Sequence, residues 1–133
     1  MARIDVCDDD RDFIDLITAA LGDEGWIVVP RFDPEEAVTS LLADSPDVVL
    51  LDIHFGGGLG GWAIAERIVD DPALTGTQLV MCTGDAGEIE KRRTWLAEHG
   101  ILALPKPFDL EELDGVTGEA LALARKRQTN GPT

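Results

Sequence analysis

The chain has 133 residues, 44% hydrophobic and 28% charged, with 11 Lys and Arg against 26 Asp and Glu for a net charge of −15. That length suits one domain with a sizeable core, and no apolar run approaches the roughly 20 residues of a membrane span. The acidic balance argues against non-specific nucleic-acid binding, which needs Lys and Arg to neutralise phosphates.

The N-terminus, MARIDVCDDD, turns acidic too early for a secretory signal, so the expected location is cytoplasmic. A β-rich run at Arg3–Cys7 comes first, then a helical pattern at Asp10–Leu21. In that helix Phe13, Leu16, Ile17, Ala20 and Leu21 have the i, i+3, i+4 spacing of a buried stripe. A second strand at Trp26–Arg31 and a helix at Pro34–Ala43 follow, then a strand at Asp47–Leu51 and a helix at Trp62–Val69. The pattern closes with a strand at Gln78–Thr83, a helix at Glu88–His99, a strand at Ile101–Leu104 and a helix at Leu110–Lys126. Gly22, Gly25 and Gly100 fall where helices should stop.

Strands alternating with helices predict a three-layer, doubly wound (βα)5 fold around a five-stranded parallel sheet. Asp47-Val48-Val49-Leu50-Leu51 is apolar without alternation after its first residue, as a parallel strand covered on both faces should be. The expected organisation is one domain over residues 1–127, with residues 128–133, QTNGPT, as a disordered tail. Cys7 and Cys82 lie in apolar runs and are expected to be small core residues. Six of the eleven basic residues form two triplets, Lys91-Arg92-Arg93 and Arg125-Lys126-Arg127. The second suits a helix C-terminus, where the dipole favours cations.

In an open parallel α/β sheet, ligands bind beyond the carboxyl ends of the strands. Asp8, Asp9 and Asp10 follow the first strand, Asp52 the third, Thr83 and Gly84 the fourth, and Lys106, between Pro105 and Pro107, the fifth. Asp9 or Asp10 suits the N-cap of the first helix. Asp52 caps nothing, because the next helix starts well downstream. Carboxylates from Asp8 or Asp9 and from Asp52 would lie a few ångströms apart, and two like charges at 4 Å repel by roughly 4 kcal/mol at an effective dielectric near 20. A raised pKa, Lys106 or a divalent ion can offset this, and an all-oxygen donor set suits Mg²⁺ better than zinc. Carboxylates, Mg²⁺, a lysine and a hydroxyl make a site for a phosphoryl group, with one carboxylate as a nucleophile that forms an aspartyl phosphate.

These motifs, VCDDD, VVLLD, MCTGD and LPKPF in this order and at these intervals, resemble the receiver domain of a two-component response regulator over residues 3 to about 126. The resemblance implies strand order 2-1-3-4-5, a flavodoxin-like arrangement. With that order Cys7 and Cys82 are about 10 Å apart, at roughly 4.8 Å per strand, too far to bridge. It implies that Asp52 accepts a phosphoryl group from a sensor histidine kinase or phosphotransfer protein. Asp8, Asp9, Asp52 and the backbone carbonyl of His54 would hold Mg²⁺. Thr83 would hydrogen-bond a phosphoryl oxygen, with Gly84 leaving space. Lys106 would pair with the phosphoryl charge, and the Lys106–Pro107 bond would be cis. Such a domain, of the stand-alone single-domain type and a monomer or weak dimer, would signal to a downstream protein target without direct contact with nucleic acid or membrane. It would catalyse only its own phosphorylation and dephosphorylation. The family's usual output face is the fourth helix, fifth strand and fifth helix, where Trp95 is either an exposed anchor or a cover for the core.

The chain departs from the family at two places. Ala103 stands where an aromatic usually precedes the lysine by three residues. After Asp52, the loop Ile53-His54-Phe55-Gly56-Gly57-Gly58-Leu59-Gly60-Gly61 has no proline and one residue more than usual, which predicts a loose rim that alters access to Asp52. Two other readings compete. Gly56-x-Gly58-x-x-Gly61 matches a dinucleotide-binding pattern, but it follows the third strand and is separated from it by Asp52 and Ile53-His54-Phe55. A receiver-like docking module that is never phosphorylated is the alternative favoured by Ala103 and the loop.

Overall fold

The computed structural model describes residues 1–129. Five strands, β1 (Arg3–Cys7), β2 (Ile27–Arg31), β3 (Val48–Leu51), β4 (Gln78–Thr83) and β5 (Leu102–Pro105), form one parallel sheet in the order β2-β1-β3-β4-β5. The described helices are α1 (Arg11–Asp23), α2 (Pro34–Asp44), α3 (Gly60–Asp70), α4 (Ala86–Lys91), α5 (Arg93–Glu98) and α6 (Leu110–Thr129), with a 3₁₀ turn at Pro72–Leu74. This is the expected three-layer α/β architecture and strand order.

Side chains alternate across the sheet and build two cores. Ile4, Val6, Val48, Leu50, Val80, Cys82 and Leu104 meet Ile14, Ile17 and Leu21 of α1 and Leu113 and Ala120 of α6 on one face. Cys7, Val49, Leu51, Leu79 and Met81 meet α2, α3 and Leu96 of α5 on the other. All four residues of β3 are buried, which is why its sequence is continuously apolar. The two cysteines are free and buried, on opposite faces and with β3 between their strands.

Side chains start most of the helices. Asp10 accepts from the Phe13 N–H at 3.1 Å, Asp33 from Glu35 at 3.2 Å and Asp85 from Glu88 at 3.2 Å. The Asp109 carboxylate accepts from the Glu112 N–H at 2.7 Å and the Glu112 carboxylate from the Asp109 N–H at 3.3 Å, a capping box that opens α6.

Two elements differ from the sequence expectation. The predicted helix Glu88–His99 is two helices, because Arg92 (φ −104°, ψ 11°) leaves helical geometry between α4 and α5. Its guanidinium lies 4.7 Å from the Trp62 ring centre and 5.5 Å from that of Trp95, and pairs with Glu66 at 2.7 Å. No Gly or Pro marks the break, and tertiary contacts are what engage this side chain. The predicted tail is corrected at its first residues. Gln128 and Thr129 belong to α6, and Gln128 donates to Asp47 at 2.8 Å and to the Gly76 carbonyl at 3.2 Å. The rest of the predicted tail, residues 130–133, lies outside the described residues. Lys126 and Arg127 occupy the last turn of α6, while Arg125 pairs with Asp47 at 3.1 Å. Trp95 is half-buried and meets Trp62 edge to face at 6.1 Å, so it covers the core.

Candidate phosphoryl-transfer site

The sheet ladder itself sets the site. Asp52, one residue past β3, donates its N–H to the Cys7 carbonyl at 3.1 Å. Asp8, one past β1, donates to the Arg31 carbonyl at 3.2 Å, and Lys106, one past β5, to the Thr83 carbonyl at 2.9 Å. Each residue is thus held by a last rung of the ladder, on the edge where the strands end.

Their side chains converge on one ammonium. Lys106 Nζ donates to Asp8 Oδ2 at 2.8 Å and lies 3.8 Å from Asp52 Oδ2. The same nitrogen sits 4.0 Å from the centre of the Phe13 ring. Asp8 is buried, and its other oxygen accepts from the Asp10 N–H at 2.9 Å. Asp52 is 15% exposed, and its Oδ1 accepts from the His54 N–H at 3.2 Å. Burial raises the Asp52 carboxyl above its ordinary pKa; the His54 N–H and Lys106 pull it back, and Asp8 adds to the rise. Burial opposes the charge on Lys106 more than any single contact favours it, but the bond to Asp8 together with the nearby negative charges of Asp8 and Asp52 lifts its pKa. The Lys106–Pro107 peptide is cis, as expected.

Thr83 is buried at the end of β4, its Oγ1 accepting from the Asp85 N–H at 3.1 Å. A Cβ on the neighbouring Gly84 would meet nothing within 4 Å. Asp9 is exposed, and its Oδ2 accepts from the Gly56 N–H at 3.0 Å. The His54 carbonyl accepts from Gly57 at 2.9 Å, which leaves it one lone pair. Among the described residues, no three His, Cys, Asp or Glu side chains are gathered as a metal cluster. The donors still fit a hard cation by type, since Asp8, Asp9, Asp52 and the His54 carbonyl all offer oxygen. The bond from Gly56 occupies one lone pair of Asp9 Oδ2 and leaves Oδ1 able to join such a set.

The glycine stretch is a chain of turns. Gly56, Gly57 and Gly58 have φ of +84°, +89° and +54°, and Gly61 donates to the Ile53 carbonyl at 2.7 Å. A Cβ on Gly56 would come within 2.6 Å of Pro34 Cγ, and one on Gly60 within 2.6 Å of the Phe55 carbonyl. Where the sequence predicts a loose rim, the structure uses the glycines for turns and close approaches.

Sequence reasoning assigned no part in the site to the side chains of His54 and Phe13. The His54 ring spans the loop to α4, with Nδ1 2.6 Å from the Gly58 carbonyl and Nε2 3.2 Å from Asp85 Oδ2. The Gly58 carbonyl is the main cause of its raised pKa. The buried residues of α1 are Ile14, Ile17 and Leu21; of the predicted stripe Leu16 is exposed and Phe13 half-buried, and nothing in the spacing of Phe13 reports Lys106, far along the chain.

The family profile of the response regulator receiver domain matches residues 4–117. The chain belongs to this family. The receiver domain is 32% identical over 111 residues to the transcriptional regulatory protein TrcR of Mycobacterium tuberculosis, covering 84% of this chain and 42% of that protein. It is 29% identical to the probable transcriptional regulatory protein TcrX of the same organism, covering 81% of this chain and 44% of that one. The chain therefore spans less than half the length of these curated relatives. Among solved structures, the receiver domain of NtrX from Brucella abortus is 31% identical with a TM-score of 0.77, covering 90% of this chain and 98% of that one. The chemotaxis protein CheY4 of Vibrio cholerae, 21% identical with a TM-score of 0.79 and covering 91% and 99% of the two chains, shares the fold. Among the described residues, no helix is long and apolar enough to cross a membrane.

Proposed function

We propose that this receiver is a phosphoacceptor: Asp52 takes a phosphoryl group from a phosphohistidine on a sensor histidine kinase or phosphotransfer protein. The phosphorylated form then signals through contacts with a downstream protein. The observation that carries this reading is the Lys106 ammonium, 2.8 Å from Asp8 and 3.8 Å from Asp52 on the strand-end edge. It places a cation beside a carboxylate that is mostly shielded from water yet still reachable.

In the transfer, an Asp52 oxygen forms a bond to phosphorus while the phosphorus–nitrogen bond breaks and its electron pair leaves with the imidazole. Lys106 faces the charge of the arriving group, and the Thr83 hydroxyl offers a hydrogen bond to one of its oxygens. Asp8, Asp9, Asp52 and the His54 carbonyl are the donors that would hold Mg²⁺, which when bound neutralises phosphoryl oxygens. Water attacking the aspartyl phosphate later returns the carboxylate and inorganic phosphate, so no external metabolite is turned over.

The test is incubation with Mg²⁺ and acetyl phosphate, followed by intact mass. A gain of one phosphoryl group that is absent in Asp52→Ala supports the reading. No gain in the wild type refutes it and favours a docking module that works without phosphorylation.

A further inference from the structure

We propose that Phe13 is a positioning residue of the phosphorylation site, its ring face holding the Lys106 ammonium between Asp8 and Asp52. The inference rests on the reading of Lys106 as the group that meets the phosphoryl charge.

A lysine carries its charge on a flexible four-carbon stem and has three N–H donors to satisfy. Here the ammonium lies 2.8 Å from Asp8, 3.8 Å from Asp52 and 4.0 Å from the Phe13 ring centre. A cation within about 6 Å of an aromatic face is attracted by the ring's quadrupole. Phe13 is itself held through its backbone and through its ring. Asp10 caps the Phe13 N–H at 3.1 Å, tying the start of α1 to the acidic triplet. Phe108, two residues beyond the lysine, meets the ring edge to face at 6.0 Å and 82°. Leu16, Ile17 and Pro107 extend this apolar wall beside Lys106.

A ring suits this place better than a further carboxylate. Asp8, Asp9 and Asp52 already load the edge with negative charge, and a phosphoryl group brings more. The ring draws the ammonium without adding a formal charge. Its attraction is spread over a face, so the ammonium can move from Asp8 toward a phosphoryl oxygen and keep the contact.

The test uses the whole chain with Mg²⁺ and acetyl phosphate, reading the initial rate of aspartyl-phosphate formation. Phe13 is replaced by mono-, di- and trifluorinated phenylalanines, which keep the shape of the ring while weakening its face, and by Leu and Tyr. The rate is expected to fall stepwise with fluorine content, to about two- to fivefold below wild type for the trifluoro ring and for Phe13→Leu. Phe13→Tyr restores the rate, and the urea midpoints of the fluorinated chains stay at the wild-type value. A flat fluorine series, with Phe13→Leu losing rate and stability together, overturns the inference and leaves the proposed function standing. A wild type that takes no phosphoryl group overturns the proposed function, and this inference with it.

Discussion

Gly61→Ala probes how tightly the loop after Asp52 is folded onto β3. A Cβ at this position would run into the Asp52 carbonyl oxygen and lie 2.7 Å from both Cα and the carbonyl oxygen of Ile53. All three are backbone atoms, so no side-chain rotation relieves the clash, and α3 must move away from the loop. That motion breaks the 2.7 Å bond from the Gly61 N–H to the Ile53 carbonyl. Overpacking costs about 1–3 kcal/mol and a lost hydrogen bond about 1 kcal/mol, so the loss should be about 2–4 kcal/mol. In a domain of this size that is roughly 10 °C of Tm, or a fall of roughly 1–2 M in the urea midpoint. Circular dichroism through urea and thermal unfolding measures both. Gly57→Ala is the internal control: its φ of +89° is strained for alanine, but nothing lies within 4 Å of the new Cβ, so the cost should stay near 1–2 kcal/mol. Gly118→Ala, exposed in the interior of α6 with open space around it, should stabilise by about 0.5–1 kcal/mol. If Gly61→Ala is no worse than Gly57→Ala, the close approach of α3 to the Asp52 backbone is wrong.

Three further outcomes follow from buried polar groups. Asp5 is fully buried and pairs with Arg3 at 3.0 Å and Arg31 at 3.2 Å, so Asp5→Ala should cost about 2–4 kcal/mol in urea unfolding; a loss under 1 kcal/mol contradicts the network. Burial raises the Asp52 pKa, so its charged form costs stability above the ordinary carboxylate range, and that cost fades as pH falls through the raised value. Asp52→Asn without added metal should therefore unfold at higher urea than wild type at pH 7, with the gap closing on acidification; a gap that widens reverses the sign. Burial pushes the Cys82 thiol up to about 12 and raises Cys7 as well. Neither should react with a thiol reagent at pH 8 in the folded protein, and both should react in urea; rapid labelling of the native chain refutes their burial.

The sequence by itself determined the alternating parallel α/β fold and the edge on which the candidate site residues gather. Continuously apolar runs such as Val48-Val49-Leu50-Leu51 suit strands covered on both sides, and in a parallel sheet every strand end falls on one edge. Asp8, Asp52, Thr83 and Lys106 were therefore legible on one edge from local pattern, and as neighbours only through the strand order that the resemblance implies. Which of them touch was decided by tertiary structure. Asp9, adjacent to Asp8 in sequence, instead bonds the Gly56 N–H, because successive residues leave a strand in different directions. At the helix break Arg92 meets Trp62 and Glu66, and Phe13 meets Lys106 and Phe108, pairings between distant segments that no local pattern reports. The glycines show the same division. Composition alone marks residues 56–61 as permissive; only the closeness of Pro34, Phe55 and the Asp52 carbonyl shows that some of them leave no room for a side chain. Periodicity reports which face of an element is buried, whereas the partner that buries it is set by the packing of the whole chain.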